Sequence, residues 1–337
     1  MIKTYKFISI LWLSTGLFGC VHSQVTVQPR PAEESQIISF QKDLKIFWGK
    51  AVGQPFEAQL KLWDLYVEAP HQDFYDSVVW EKKYNSDWSA RKRRQLLVVF
   101  SKYEKLMPTM QANFTAFQRT IEAQLNKFEE MFPEPKLNVP VYAALSPNFN
   151  GRGATLSVPG KPDQTILAFS MDMISSRKDS MEILFPHELF HIYHFQVTGI
   201  TQDGQMTDGK LTLPLWEEGL ATYVSGQMSP GHSDGDLLMD PDLGSVPASR
   251  LAALAKKFLL QAEEKAFDSK KPEIYRSWFN VGKDKVASDL PNRCGYILGL
   301  YIVRTVVKTH SLSELTRWDP VEIHRQVKIA LKEIAGG

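Results

Sequence analysis

His187-Glu188-Leu189-Phe190-His191 sets two imidazoles four residues apart, with a carboxylate directly after the first. The apolar residues around them, Ile183, Leu184, Phe185, Leu189, Phe190, Ile192 and Tyr193, have helical spacing. On a helix, an i,i+4 pair shares one face with Cβ atoms about 6 Å apart. Two ring nitrogens can then approach one metal ion at the roughly 2.0–2.1 Å that zinc prefers. Glu188 lies on an adjacent face, near enough to take a proton from a water activated at the metal without being a ligand itself. Hydrolytic zinc chemistry requires that division of labour.

A catalytic zinc needs a third protein ligand and an open fourth position. Leu215-Trp216-Glu217-Glu218-Gly219-Leu220-Ala221-Thr222-Tyr223 is a second apolar helical pattern with two acids near its start, and a carboxylate there completes a His2Glu set. With these residues the chain resembles the gluzincin metallopeptidases, which include thermolysin-like enzymes and zinc aminopeptidases. In the aminopeptidases the ligand glutamate directly precedes Gly in an Asn-Glu-Gly-Phe-Ala-Ser/Thr run. Glu218-Gly219-Leu220-Ala221-Thr222 matches that run with Leu220 in place of Phe. The resemblance implies Glu218 as the third ligand of one zinc per chain, with Glu217 about 100° of helix off that face.

Tyr296-Ile297-Leu298-Gly299 is similar to the aminopeptidase Tyr-x-x-Gly, whose tyrosine hydroxyl stabilises the tetrahedral intermediate. The resemblance implies the same role for Tyr296, a preplaced donor facing developing oxyanion charge. The alternative is that Tyr296 packs in a helix with Tyr301 and Ile302. Nearby Arg293 reads as a surface or structural arginine, with binding of a substrate carbonyl or carboxylate as the other possibility. The resemblance also implies that the strand from Ala154 to Val158 is a sheet edge that pairs with an extended peptide.

The chain departs from the family in three places. No Gly-x-Met-Glu-Asn run, which holds the free amine in aminopeptidases, precedes His187, and this favours an endopeptidase. The spacer from His191 to Glu218 is longer than theirs, an excess that the loop from Gly199 to Leu213 can absorb. Thr222 stands where thermolysin-like enzymes carry an aspartate four residues after the third ligand.

These motifs must be held by surrounding elements. From Glu33 to about Phe132 the pattern is helical, with Pro108 expected to divide its last stretch, Ser89 to Phe132, into two helices. After Pro133-Glu134-Pro135 come three β-favouring runs, Val139 to Leu145, Ala154 to Val158 and Thr165 to Phe169, separated by Gly, Asn and Pro. Helical patterns then resume at Ser180 to Val197, Leu215 to Met228, Ala248 to Lys265, Leu290 to Thr309 and Val321 to Ile334. The expected fold is α+β and predominantly helical. An all-α domain (33–134) precedes a gluzincin-like catalytic domain (135–337) with a small antiparallel sheet and an active-site helix.

Residues 1–19 are set apart from the fold. Lys3 and Lys6 precede a thirteen-residue apolar stretch from Phe7 to Gly19 that leads into Leu17-Phe18-Gly19-Cys20, long enough for a secretory signal and short of the ~20 residues of a membrane span. That ending resembles a bacterial lipoprotein box, which implies cleavage before Cys20, its lipidation and a tether over residues 20–32; a plain signal peptide or an uncleaved anchor is the alternative. Val21 stands where lipoproteins retained in the inner membrane carry aspartate, so the expected place is the outer membrane, facing the periplasm or the cell surface.

Composition narrows the partners. Thirty-nine basic residues against 38 acidic ones leave a formal charge of +1, no field for drawing in nucleic acid. The expected partners are a peptide or protein substrate and, through the lipid, a membrane; the sequence is silent on oligomeric state. His194, Arg91-Lys92-Arg93-Arg94 and the tryptophans Trp48, Trp63, Trp80 and Trp88 read as packing or solvated residues. Asp234, Asp236, Asp240 and Asp242 form an acidic loop without the pattern of a calcium hand. The competing functional reading is a catalytically inactive envelope lipoprotein whose metal site is structural or vestigial and whose helical domain binds a partner. A third is a zinc hydrolase of non-peptide amides.

Overall fold

The computed structural model describes residues 37–200 and 209–336; the signal segment, Cys20 and the tether lie outside them. The fold is α+β, mostly helical with one four-stranded sheet. It packs as two compact units, one from residues 37–122 with Lys136–Asp179, the other from Ala123–Pro135 with residues 180–336. Packing therefore does not divide the chain at residue 134, because the strands after that point belong with the helices before residue 122.

The first unit opens on β1 (Ile37–Ser39), α1 (Gln41–Ala51) and α2 (Phe56–Trp63). Next comes α3 (Trp88–Met131), which contributes its residues up to 122. β2 (Val141–Ala144), β3 (Gly151–Leu156), β4 (Gln164–Ser170) and α4 (Met171–Arg177) complete it. β1 corrects the all-helical expectation for this segment: Ile37 and Ile38 are strand residues, with Ile37 opposite Val141.

The sheet is mixed rather than antiparallel, in the order β1-β2-β4-β3. β1 and β4 flank β2 in parallel, and only β3 runs antiparallel to its neighbour. Burial explains the order. Ile166, Leu167, Ala168 and Phe169 of β4 are completely buried, so β4 takes an inner position. The Gly151-Arg152-Gly153 start of β3 is only half-buried and suits an edge. β3 folds back along one side of β4 and leaves the other to β2.

Pro108 does not break α3, which runs 44 residues through it. Proline removes one N–H and crowds the carbonyl four residues earlier, here that of Glu104. Both residues face solvent, while Tyr103, Met107, Met110 and Phe114 are buried on the opposite side. Water can satisfy the freed carbonyl, and packing holds the two halves in line. Trp63 and Trp80 are fully buried and both donate to the Glu68 carboxylate, at 2.7 and 2.9 Å. Lys92 joins them at 2.6 Å. Arg93 pairs with Glu57, and Arg91 donates to the Trp80 carbonyl at 2.8 Å, so this basic run is largely engaged within the fold.

The second unit contains α5 (Met181–Thr198), α6 (Thr212–Met228), α7 (Ala248–Leu259), α8 (Pro272–Phe279), α9 (Cys294–Val306) and α10 (Pro320–Ile334). α8 has no counterpart among the sequence expectations. α5 is apolar on most sides, as a central helix must be, with nine of its residues buried. Part of its surface is covered from the end of α3 and just beyond: Phe132 lies 4.6 Å from Tyr193 and 5.7 Å from Phe190, and Phe128 lies 5.7 Å from Tyr193. Among the described residues no helix is long and apolar enough to cross a membrane.

α6 and α9 meet at two glycines. A Cβ on Gly219 would stand 2.3 Å from the Gly299 carbonyl carbon, and one on Gly299 would stand 2.4 Å from the Leu215 oxygen. No side chain fits at either position, so the helices touch backbone to backbone.

Candidate metal centre

α5 supplies His187, Glu188 and His191, and α6 supplies Glu218. The i,i+4 spacing brings the two histidine Nε2 atoms to 3.2 Å of each other. Glu218 Oε2 lies 3.2 Å from His187 Nε2 and 3.6 Å from His191 Nε2. An ion held tetrahedrally at 2.0–2.1 Å by three donors requires them about 3.3 Å apart. The three atoms meet that requirement, and two neutral imidazoles with one carboxylate are a donor set suited to zinc. Glu217 is buried and stands outside the cluster, which among the described residues is the only grouping of this kind.

The electrostatics suit a cation. Burial works to raise the Glu218 pKa, but hydrogen bonds from His187 and His191, and their charge, hold it well below the usual carboxylate range. Burial likewise opposes charge on His191, yet the hydrogen bond and charge of Glu218, with Glu188 and Glu217 adding, raise it to about 9. A proton on His191 thus fills part of the place that a metal would take. Pro186, directly before the first histidine, lies inside α5, which begins at Met181. Glu188 is half-buried beside the two histidines.

Tyr296 lies in the first turn of α9, one turn before Gly299. Burial raises its pKa, as do the charges of Glu218 and Glu188, while Arg293 pulls the other way. The net effect lies well above the ordinary value, so the phenol stays an O–H donor. Arg293 is not a surface residue: it is 7 % exposed, with its guanidinium 4.0 Å above the Tyr296 ring. Its backbone is left-handed at φ 64°, a conformation that a non-glycine residue adopts at a cost. Sequence spacing could have placed Arg293 beside Tyr296, but its burial depends on tertiary packing.

Other candidates have structural duties. His194 is completely buried and stacked on Phe190 at 5.6 Å, and burial, with some effect of His191, pushes its pKa down to about 3. The Thr222 hydroxyl donates to the Glu218 carbonyl at 2.7 Å and so stays within its own helix. In the acidic loop, Asp234 binds Arg304 through two bonds of 2.6 and 2.7 Å. Asp236 closes a capping box with Ser233, and Asp240 caps the short helix Pro241–Gly244.

No curated protein and no solved structure matches the chain. A family model described as "Putative zinc dependent peptidase (DUF5700)" matches residues 68–320, which include His187, Glu188, His191, Glu218 and Tyr296. On that match, covering about three quarters of the sequence, the chain belongs to the family so described.

Proposed function

We propose that this protein is a lipid-anchored zinc metallopeptidase of gluzincin type that cleaves within peptide chains. The observation that carries the reading is the spacing of the three donors, 3.2, 3.2 and 3.6 Å, with Glu188 on the same helix as the two histidines.

His187, His191 and Glu218 hold the ion. When bound, zinc supplies a Lewis acid that polarises a carbonyl and acidifies water. Glu188 accepts the proton of the attacking water and returns it to the departing amine. Tyr296 keeps its hydroxyl proton and donates it in a hydrogen bond to the carbonyl oxygen as negative charge develops there. Cleavage within chains is supported by the missing amine-anchoring run before His187. The lipid anchor and the outer-membrane place rest on the Leu17-Phe18-Gly19-Cys20 box and Val21.

The test is hydrolysis of a mixed peptide library by the zinc-loaded protein and by Glu188→Gln. The proposal expects internal cleavages by the first and none by the second at equal zinc content. Full activity in Glu188→Gln would overturn the mechanism, and zinc binding without any hydrolysis would favour the inactive lipoprotein.

A further inference from the structure

Arg293 is a buried cation with no carboxylate in direct contact. It is 7 % exposed. Among the described residues it makes no ion pair, and its Nε finds no acceptor. Its contacts are the ring and hydroxyl of Tyr296, neither of which neutralises the charge. An ionised group in such surroundings is costly unless paired. Buried arginines are almost always paired, and one without a direct partner is a candidate ligand site.

The position indicates which ligand. Arg293 caps the N-terminus of α9, a 13-residue helix, so the positive end of the helix dipole adds to its charge. Its left-handed backbone turns the chain into that helix with the guanidinium over Tyr296. The Gly219–Gly299 crossing holds Tyr296 and Glu218 on adjoining helices, and Glu218 is among the charges that Arg293 feels. A planar guanidinium beside the reacting centre matches the fork of a carboxylate.

We infer that Arg293 forms an anion subsite that binds a carboxylate of the peptide substrate beside the scissile bond. The inference rests on the peptidase reading above and adds to it a substrate class. The carboxylate belongs either to an acidic side chain, which keeps cleavage internal, or to the peptide C-terminus, which makes the enzyme a carboxypeptidase.

The experiment uses zinc-loaded Glu188→Gln, to suppress turnover, and three tetrapeptides titrated by calorimetry: tetra-alanine free acid, tetra-alanine amide, and an alanine tetrapeptide amide carrying one glutamate. The subsite predicts that at least one carboxylate-bearing peptide binds roughly tenfold tighter than the neutral amide. Preference for the free acid assigns the C-terminus; preference for the glutamate peptide assigns the side chain. Adding Arg293→Gln abolishes the preference, and Arg293→Lys keeps part of it. Should these variants fail to fold, protection of Arg293 from phenylglyoxal by the preferred peptide, and not by the amide, reads the same contact in the unsubstituted arginine.

Equal binding of all three peptides overturns the inference, as does a preference that survives Arg293→Gln in folded protein. Failure of the peptidase reading looks different: carboxylate preference present, but no hydrolysis by the zinc-loaded wild type.

Discussion

The Ser229 hydroxyl donates to the carbonyl of Glu182 at 2.8 Å, the carbonyl that Pro186, four residues later, leaves without its helical N–H. Ser229 caps the C-terminus of α6, so the gap that a proline opens in one ligand-bearing helix is closed by the end of the other. Ser229→Ala would remove a hydrogen bond from a part-buried carbonyl, a loss of about 0.5–1.5 kcal/mol. Thermal unfolding should show it, and zinc affinity should weaken with it. An unchanged melting temperature would assign the closing role to water.

Glu188 and Tyr296 should separate kinetically. Glu188→Gln is expected to lower kcat by roughly 10²–10⁴-fold with zinc retained. Tyr296→Phe should cost about 10²-fold, mainly in kcat, because its bond strengthens only as oxyanion charge appears. A Tyr296→Phe variant altered only in KM would make the tyrosine a binding residue.

Zinc uptake should release a proton. In the metal-free protein His191 titrates at about 9, so near pH 7.5 it is protonated and must give up that proton to ligate. Calorimetry in buffers of different ionisation enthalpy should find about one proton released per zinc, with affinity rising about tenfold per pH unit below 9. The raised pKa also fixes the sign for metal-free stability: the contribution is full below the ordinary 6.5 and lost as pH rises through about 9. Denaturation midpoints that stay flat over that window would contradict the pairing of His191 with Glu218.

Gly299→Ala introduces a methyl where 2.4 Å separates it from the Leu215 oxygen. Backbone must move, at about 1–3 kcal/mol, and the movement displaces Tyr296 from Glu218. Lower stability and lower kcat should appear together in this variant. Normal kcat in a destabilised protein would show that the crossing does not position Tyr296.

The proposed lipid anchor makes its own prediction. Growth with labelled palmitate in a bacterial host should mark the chain, and Cys20→Ser should abolish the label and release the protein from the membrane fraction. Labelling that survives the substitution would remove Cys20 from the proposal.

The His187–His191 pair was legible because an i,i+4 spacing states its own geometry, whereas Glu218 was reached only through the resemblance of its Glu-Gly-Leu-Ala-Thr run, and the fold brings its carboxylate to the pair. What eluded the sequence depends on partners far along the chain. Pro108 and Pro186 both carry a break signal, yet Glu104 has solvent and Glu182 has Ser229, so neither helix ends. The sheet was read as antiparallel because its runs follow closely in sequence, while the relative burial of β3 and β4, and pairing with Ile37, make it mixed. Arg293 read as a surface or structural arginine, with substrate binding as the other possibility, since neither its φ nor its burial is encoded nearby.

The interleaving of the two units bears on anyone who truncates this protein. Cutting at the Pro133-Glu134-Pro135 composition change, where a domain boundary reads most naturally, removes Phe128 and Phe132 from the helix that holds both histidines. The resulting fragment would expose Phe190 and Tyr193 as an oily stripe and aggregate, so an expression series should keep residues from 123 onward. During synthesis the same arrangement leaves those two phenylalanines without their partners until the 44 residues of Lys136–Asp179 and then α5 have emerged, an interval in which exposed apolar surface favours misassembly.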